Sequence, residues 1–240
     1  MCTVSVIRVG PTSMRLVSNR DEALTRPPAL APEWRTRDDR RALWPTDSAG
    51  GGTWIAVNDR GLALAILNLN LEPAPVLPAG LASRGGIIPA LAHAATWHDA
   101  VDQANDLDLG VYAPFRLLVT QARADVIVGS TLRWDRSRLK DEPFETTRLC
   151  LVSSGLGDSL VAPRLGLFDE LIPPGAESPA AQDAFHAHAW PGRGPISVMM
   201  SREGARTHSV TSVQVDAAGA SPRVAMDHRL VAWARDPARP

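Results

Sequence analysis

The sequence contains few cysteines and no excess charge of either sign. Only Cys2 and Cys150 occur among the 240 residues, and there is no CxxC pair. Two distant cysteines form neither a disulfide framework nor a cysteine metal cluster. The 25 Lys and Arg residues are balanced by 26 Asp and Glu residues. Because no basic stripe is visible, we do not expect a nucleic-acid partner.

Long hydrophobic runs are also absent. The longest, GLALAILNLNL at residues 61–71, is much shorter than the roughly 20 residues that a membrane-spanning helix requires. No basic segment precedes an apolar stretch at the N-terminus, and Arg8, Arg15 and Arg20 interrupt any signal-like segment. We therefore expect no membrane span and a cytoplasmic protein.

The remaining composition is that of a globular protein, and we predict a single domain over residues 1–240. Pattern and propensity predict strands at 3–9, 14–18, 53–57, 115–120, 125–130, 148–153, 196–201 and 207–215, with a further strand that ends at Asn68. Helices are predicted within 85–109, 160–172 and 180–190. Residues 23–47, rich in Pro and Arg, are predicted to be a long surface excursion. The order of strands and helices favours an α/β or α+β sandwich of layered sheets.

Cys2 is the first candidate for chemistry. Methionine removal tolerates a small second residue, and it would leave a thiol and a free α-amine on the same residue. The amine has an ordinary pKa of about 7.7–8.0, so a fraction of it is neutral near pH 7 and can accept the thiol proton. The thiolate could then attack an amide or ester carbonyl and form a thioester. The alternative is that Cys2 is a small buried hydrophobic residue in a strand.

The polar motif SNRDE lies at the end of the second predicted strand. Asp21 is a candidate for orienting the amine, Arg20 for stabilising the thiolate or pairing with a substrate carboxylate, and Asn19 for donating a hydrogen bond. The alternative is a charged strand end capped by ion pairs. If the first two strands are adjacent, Cys2 and this motif meet at one end of a sheet.

Several separate motifs resemble one known family. MCT, SNRDEALTRP, GGTWIAVNDRGLALAILN and SRGG occur in the order found in the NRDE family, named in eukaryotes the transport and Golgi organisation protein 2 family. The resemblance covers at least residues 1–86, with weaker matches at LVSSGLGDSLVAPRLG and GARTHSVTSVQVD. This family is similar to N-terminal nucleophile hydrolases of the choloylglycine hydrolase and penicillin V acylase group. The resemblance implies an α+β fold, a four-layer αββα sandwich.

The resemblance also implies roles for individual residues. Cys2 falls on the nucleophile and Asp21 on the aspartate that positions its amine. The segment NDRGLALAILN places Asn68 on an oxyanion-hole asparagine. Arg20, which stands two places from the position of the acylase arginine, joins them as a predicted catalytic residue on the reasoning given for the SNRDE motif.

The departures from the acylase pattern concern the substrate. Ser18 occupies the position of the acylase arginine, and Ser154 that of a second asparagine. Arg206 in GARTH is a candidate late basic partner. Asn19, Ser154 and Arg206 are therefore the predicted substrate-binding residues, and activity on penicillin-like or bile-salt-like amides is not implied.

No metal site is predicted. His186 and His188 are two positions apart in a helical segment, so their side chains point to different faces. Cys150 lies in an apolar strand and is expected to be inert.

Two functions of different classes follow. The first is an N-terminal cysteine amidohydrolase that cleaves a linear amide of a small or lipophilic acid, without a cofactor. The second is a binding or transfer protein that keeps the fold without turnover, with haem or a lipid or acyl group as ligand. A third possibility is a degenerate protein with no ligand. The expected partner is a small molecule, and removal of Met1 discriminates the first function from the others.

Overall fold

The computed structural model of the protein describes residues 2–219 and 221–233, which form strands and four short α-helices. The strands are β1 (Cys2–Gly10), β2 (Ser13–Ala23), β3 (Leu30–Arg37), β4 (Arg40–Thr46), β5 (Ile55–Asn58), β6 (Ala63–Asn68), β7 (Phe115–Arg123), β8 (Val126–Trp134), β9 (Leu139–Thr146), β10 (Arg148–Ser153), β11 (Ser201–Arg202), β12 (Ala205–Asp216) and β13 (Arg223–Leu230). The helices are α1 (Ile87–Leu91), α2 (Trp97–Asn105), α3 (Pro163–Leu171) and α4 (Pro179–Ala187). None of these helices has the length and hydropathy needed to cross a membrane.

The strands form two antiparallel sheets. The first has the order β10-β1-β2-β12-β11, and β13 also pairs with β12. The second follows the chain from β3 to β9 as a continuous meander. In the first sheet, β1 and β2 form a hairpin, whereas β10 and β12 join them from distant parts of the chain. The site described below lies where β1 and β2 carry the N-terminal motifs.

The two sheets stack face to face, with helices on both outer faces. Contacts between the sheets join β1 to β6 and β2 to β7, and β13 contacts β3, β4 and β5. Helices α3 and α4 pack on β1, β2 and β10, while α1 and α2 pack on strands β5 to β8. This is the predicted four-layer αββα sandwich.

Side-chain alternation along β1 and β2 divides the polar and apolar residues between the two faces of the first sheet. Val4, Val6 and Leu16 are fully or almost fully buried in the core that includes the space between the sheets. Ile7 points the other way, into a smaller apolar cluster with Phe168 and Phe185 of the helical layer. The first sheet is therefore buried on both faces, and its polar residues lie in the interior.

The structure corrects the prediction for residues 23–47, which contain strands β3 and β4 instead of an irregular excursion. Strand β3 is an edge strand that is mostly exposed, so it carries charged residues on both faces and shows no apolar alternation. Its Arg35 guanidinium stacks 4.7 Å from the centre of the Trp44 ring on β4. Cross-strand contacts of this kind hold the edge strand where sequence periodicity gives no signal.

Three other segments differ from the prediction. Strands β9 and β13 were not predicted, because both are partly exposed and rich in charged residues. The predicted strand at 196–201 is mostly a loop that follows a 3-10 turn at Gly194–Ile196, and its Val198 is buried against the helical layer. Burial of an apolar segment by helices produces the same composition as burial in a sheet, so the sequence alone does not separate them.

Candidate functional site

The paired strands β1 and β2 place Cys2 directly opposite Arg20 in the antiparallel register. Residues opposite each other in such a pair have side chains on the same face of the sheet. Cys2 and Arg20 therefore both face the second sheet. Because neighbours along a strand alternate, Glu22 shares this face, whereas Asn19 and Asp21 point to the helical layer.

Cys2 and Arg20 line a cavity of about 420 Å³ between the ends of the two sheets. Its lining is rich in charge: Arg20, Glu22, Arg26, Asp47 and Arg84 all contribute. The other lining residues are Thr53, Trp54, Ile66, Asn68, Leu81, Ala82, Ser83, Gly85 and Ala113. We call this space the first cavity; it combines a thiol with ionic and amide groups.

Burial controls the ionisation of Cys2. The residue is only 7% exposed, and removal from water raises the pKa of its thiol above the ordinary value. The nearby carboxylates of Asp21 and Glu22 raise this pKa further, while the Arg20 guanidinium lowers it. In the structure as described, Cys2 is therefore a neutral thiol near pH 7, and a proton acceptor is needed to activate it.

Arg20 is held by weak ionic contacts and a ring. Its Nη2 lies 3.4 Å from a carboxylate oxygen of both Glu22 and Asp47. Its guanidinium carbon lies 4.6 Å from the centre of the Trp54 ring. Both terminal nitrogens are buried, and neither donates a hydrogen bond to the described residues. Asp47 also pairs with Arg26, which closes the outer side of this charged cluster.

Asn68 ends strand β6 of the second sheet and faces Cys2 across the first cavity. Its backbone pairs with Phe115 of β7, so the strand fixes its position. Among the residues that the structure describes, none forms a hydrogen bond with the Asn68 side chain. The amide is therefore available to donate to a ligand in the cavity.

Asp21 lies behind Cys2, on the helical side of the first sheet. It is 1% exposed and accepts a hydrogen bond of 2.6 Å from the Thr207 hydroxyl. Burial raises the pKa of its carboxyl to about 6, although the Arg164 guanidinium, whose Nη1 is 3.9 Å away, opposes this shift. Arg164 itself is buried and donates to the Thr3 hydroxyl at 2.8 Å. This cluster supports the first residues of β1 from behind.

The structure corrects the prediction for Asn19, which does not line the cavity. Its side-chain nitrogen donates to the carbonyls of His186 and Val198, at 2.9 and 3.0 Å. Its side-chain oxygen is 2.7 Å from Nδ1 of His186. The physical reason is strand alternation, because a residue beside Arg20 must point to the other face. Asn19 joins the sheet to α4.

Ser154 and Arg206 also lie outside the lining of the first cavity. Ser154 follows β10 and is 2% exposed; its backbone N–H donates to Asp158 and its hydroxyl accepts from the Leu156 N–H, at 3.0 and 3.2 Å. Arg206 is on β12 next to Glu22 in the register, yet Glu22 contributes to the lining and Arg206 does not. The structure therefore does not bring these two side chains to the cavity that Cys2 lines.

Sequence reasoning missed Arg84, which the structure brings into the cavity through close packing of two glycines. A Cβ atom on Gly52 would lie 2.4 Å from the backbone carbon of Gly85, and the Thr53 N–H donates to the Gly85 carbonyl at 3.0 Å. Only a residue without a side chain allows this approach. The motifs GGTW and SRGG, read separately in the sequence, are thus two sides of one contact that positions Arg84.

The described residues contain no group of three or more His, Cys, Asp or Glu side chains arranged to hold a metal ion. His186 is buried between α4 and the sheet, where burial lowers its pKa to about 3. Its Nε2 is 2.7 Å from the Ser5 hydroxyl. The histidine therefore has a structural set of partners on the opposite side of the sheet from Cys2.

Comparison with solved structures defines the class of the fold, which is that of N-terminal nucleophile hydrolases. A Caenorhabditis elegans ortholog of N-acylethanolamine-hydrolyzing acid amidase superposes with a TM-score of 0.58 and 13% identity, over 88% of this chain and 91% of that chain. Penicillin V acylase from Agrobacterium tumefaciens has a TM-score of 0.47 and 12% identity, over 93% of this chain and 84% of that chain. A mutant conjugated bile acid hydrolase from Clostridium perfringens has a TM-score of 0.49 and 10% identity, over 98% of this chain and 97% of that chain.

The sequence profile of the family described as Transport and Golgi organisation 2 matches residues 1–158. The match covers more than half of the chain, and the protein belongs to this family. Comparison with curated protein sequences finds no match. At 13% identity, the likeness to the nematode amidase shows the fold alone and leaves the reaction to be argued from the site.

Proposed function

We propose that the protein is an N-terminal cysteine amidohydrolase that cleaves a linear amide of a small or lipophilic acid. One observation carries this proposal: Cys2 of the first sheet and the unpaired amide of Asn68 of the second sheet line the same cavity. A nucleophile and an oxyanion donor on different rigid sheets are held in a fixed relation without loop ordering. The similarity to the nematode amidase supports the fold on which the proposal depends.

Removal of Met1 makes the α-amine of Cys2 the base of the proposed reaction. The neutral amine accepts the thiol proton, and the thiolate attacks the carbonyl carbon of the amide. Asn68 donates to the oxygen that becomes negative. The C–N bond then breaks, the leaving amine takes the proton from the α-ammonium, and water hydrolyses the thioester to release the acid.

Asp21 would act on the α-amino group of Cys2, and Arg20 on its thiol. The Asp21 carboxylate has a pKa of about 6, so it is mostly ionised at neutral pH and can orient the α-ammonium from behind the sheet. Arg20 faces the thiol and lowers its pKa. Burial alone keeps the Cys2 thiol protonated, so the α-amine is needed to remove the proton and form the thiolate.

Alkylation of the two cysteines tests this activation. Treatment with a methionine aminopeptidase, verified by intact mass, should be followed by iodoacetamide labelling at pH 7.5 and peptide mapping. Cys2 should label at least tenfold faster after Met1 is removed, whereas Cys150, whose thiol pKa is raised by burial, should remain slow.

Two variants sharpen this experiment. Asp21→Asn should slow Cys2 labelling in the processed protein, and Cys2→Ala should abolish the acyl-enzyme formed with a p-nitrophenyl ester. Equal and slow labelling of both cysteines after verified removal of Met1 would contradict the proposal.

The second candidate is a binding protein without turnover, with haem or a lipid or acyl group as ligand. The raised pKa of the Cys2 thiol disfavours a nucleophilic thiolate and so favours a protein without turnover, in which a bound iron would have to displace the thiol proton. Among the described residues that line the first cavity, Cys2 is the one side chain of a type that ligates haem iron. A haem spectrum with thiolate ligation in the wild type, lost in Cys2→Ala and accompanied by no acyl-enzyme, would favour this function.

A further inference from the structure

A second cavity of about 430 Å³ adjoins the first. The two cavities share Asn68, Arg84 and Ala113 in their linings. The remainder of the second lining is largely apolar, and its main aliphatic members are Leu69, Leu71, Pro75, Leu77 and Leu156. An aliphatic chain placed in such a cavity loses its contact with water, which favours binding.

The polar residues of the second cavity are engaged with neighbours. Asn70 donates to Asp158 at 2.8 Å and to the Ser153 hydroxyl at 3.2 Å. Glu72 accepts a hydrogen bond of 2.9 Å from Ser159. Their main hydrogen bonds are thus made within the protein, and the aliphatic residues remain to contact a ligand.

Arg84 lies at the junction of the two cavities without a carboxylate partner among the described residues. Its Nη1 donates to the Pro114 carbonyl at 2.9 Å, which holds the guanidinium in place. The other two arginines of the first cavity differ, since Arg20 contacts Glu22 and Asp47, and Arg26 pairs with Asp47. Burial lowers the pKa of Arg84, and the Glu22 carboxylate offsets this shift only in part, so a bound anion would further stabilise the charged form.

The position of Arg84 restricts where the anionic group of a ligand can lie. Arg84 shares both linings with Asn68, the proposed oxyanion donor, so an anion on Arg84 lies at the same junction of the cavities as the amide that reacts. An α-carboxylate is separated from the amide nitrogen by a single carbon atom. Arg presents a planar fork of donors that matches a carboxylate.

We propose that the substrate is an N-acyl amino acid whose aliphatic chain occupies the second cavity, whose amide carbonyl lies between Cys2 and Asn68, and whose carboxylate pairs with Arg84. This inference rests on the proposed function and names its substrate class. Cleavage of the C–N bond by the steps given above releases the aliphatic acid and the free amino acid, and water is the only co-reactant.

Binding to the full chain carrying Cys2→Ala tests the inference without turnover. Calorimetry should compare N-dodecanoylglycine with N-dodecanoylethanolamine, which lacks the carboxylate, and with N-acetylglycine, which lacks the chain. N-dodecanoylglycine should bind roughly 10- to 100-fold more tightly than the ethanolamide, as a charged hydrogen bond contributes. It should bind at least about 100-fold more tightly than N-acetylglycine, because burial of even part of the longer chain contributes that much.

Variants assign the two contributions. Arg84→Met in the same background should remove the preference for glycine over ethanolamine, while Arg123→Met, a change at an exposed arginine on β7, should keep it. Leu156→Asp should weaken the binding of N-dodecanoylglycine and leave the binding of N-acetylglycine unchanged. Leu156 is 47% exposed, so this variant is expected to fold.

Several outcomes would overturn the inference. If N-dodecanoylglycine and N-dodecanoylethanolamine bind with equal affinity, the inference is wrong, and this result does not require Arg84→Met to fold. If dodecyl phosphate binds more tightly than N-dodecanoylglycine, the inference is also wrong, because Arg84 would then bind a phosphate. Arg84-dependent binding with no hydrolysis by the processed wild type would sustain the ligand class and contradict the proposed function. Hydrolysis of both amides at equal rates would contradict the ligand class alone.

Discussion

At the scale of single residues, the candidate chemistry depends on two side chains contributed by different sheets. The Asn68 side chain has no hydrogen-bond partner among the described residues, so its truncation costs the fold little and the proposed reaction much. Asn68→Ala should lower the single-turnover rate of acylation about 100- to 1000-fold, as loss of one oxyanion donor does. Stopped-flow measurement with a p-nitrophenyl ester checks this.

The matched control is Asn105→Ala, since the Asn105 amide donates to the Val101 carbonyl of its own helix, away from the first cavity. Its acylation rate should equal that of the wild type. An Asn68→Ala protein that acylates at the wild-type rate would remove Asn68 from the oxyanion hole.

Arg164 is the residue that couples α3 to the back of the site. It is 1% exposed, and it faces the buried Asp21 carboxylate while donating to Thr3. Arg164→Met should lower the free energy of unfolding by about 3 kcal/mol, because a buried charge loses its counterion. Urea denaturation measures this change.

A double-mutant cycle gives the corresponding control. The Arg164→Met/Asp21→Asn double variant should lose less unfolding free energy than the two single variants together. The reason is that Asp21→Asn removes the carboxylate that Arg164→Met leaves without a counterion. Additive effects would mean that the two groups do not interact, and that the helix is held by its packing alone.

At the scale of secondary-structure elements, buried neutral hydrogen bonds fasten α4 to the β1–β2 hairpin, beside an ion pair of 2.7 Å between Arg15 and Asp183. His186 on α4 bonds to Ser5 on β1 and Asn19 on β2, and Gln182 one turn earlier donates to the Ser5 hydroxyl at 2.8 Å. Because the Asn19 oxygen accepts only, His186 must carry its proton on Nδ1 and accept at Nε2. Protonation of Nε2 would make it a donor, so the Ser5 hydroxyl would lose the acceptor for its own proton, and burial opposes the new charge.

This arrangement predicts acid sensitivity between pH 6.5 and 3. The pKa of His186 is lowered to about 3 in the folded protein, against an ordinary value near 6.5, so the unfolded chain binds one more proton in this range. The contribution of His186 is complete above about pH 6.5 and declines by about 1.4 kcal/mol per pH unit as the pH falls.

Urea denaturation of the wild type and of His186→Gln across this range provides the test. The stability advantage of the wild type should shrink in acid, since glutamine does not titrate. Parallel pH profiles for the two proteins would show that His186 does not titrate in this way.

At the scale of the whole molecule, the stacked sheets form the rigid frame on which the cavity depends. Leu64 is fully buried and lies on the same face of β6 as Ile66 and Asn68, by the alternation of the strand. Leu64→Ala should cost about 3 kcal/mol of unfolding free energy, through lost burial and an internal cavity. Leu230→Ala, at a site that is 54% exposed, should change it by less than about 1 kcal/mol.

Thermal denaturation followed by circular dichroism measures both variants. The Leu64→Ala protein should also bind ligand in the first cavity less tightly, because the relation between Cys2 and Asn68 depends on the separation of the sheets. Similar losses for Leu64→Ala and Leu230→Ala would contradict the packing described here.

The sequence by itself determined the family, the four-layer fold, and the strand ends at which Cys2 and Asn68 lie; it placed Arg20 just beyond the second strand, which the structure extends to Ala23. These depend on local pattern and on the order of motifs along the chain. The sequence also allows a further prediction within SNRDE. Consecutive residues of a strand point to opposite faces, so Asn19, Arg20 and Asp21 cannot all line one cavity, but alternation does not say which face carries the site. Edge strands such as β3 left no clear pattern because exposure permits polar residues on both faces.

Only the tertiary structure decided which polar groups meet. The stacking of the second sheet made the face with Cys2 and Arg20 the cavity side, and it left Asn19 and Asp21 against the helices. Packing of Gly52 on Gly85 brought Arg84 to the junction of two cavities. Such contacts join segments far apart in the chain through close backbone approach and sheet stacking, and these depend on the whole packed molecule, whereas a linear pattern of residue types records only the preferences of each segment.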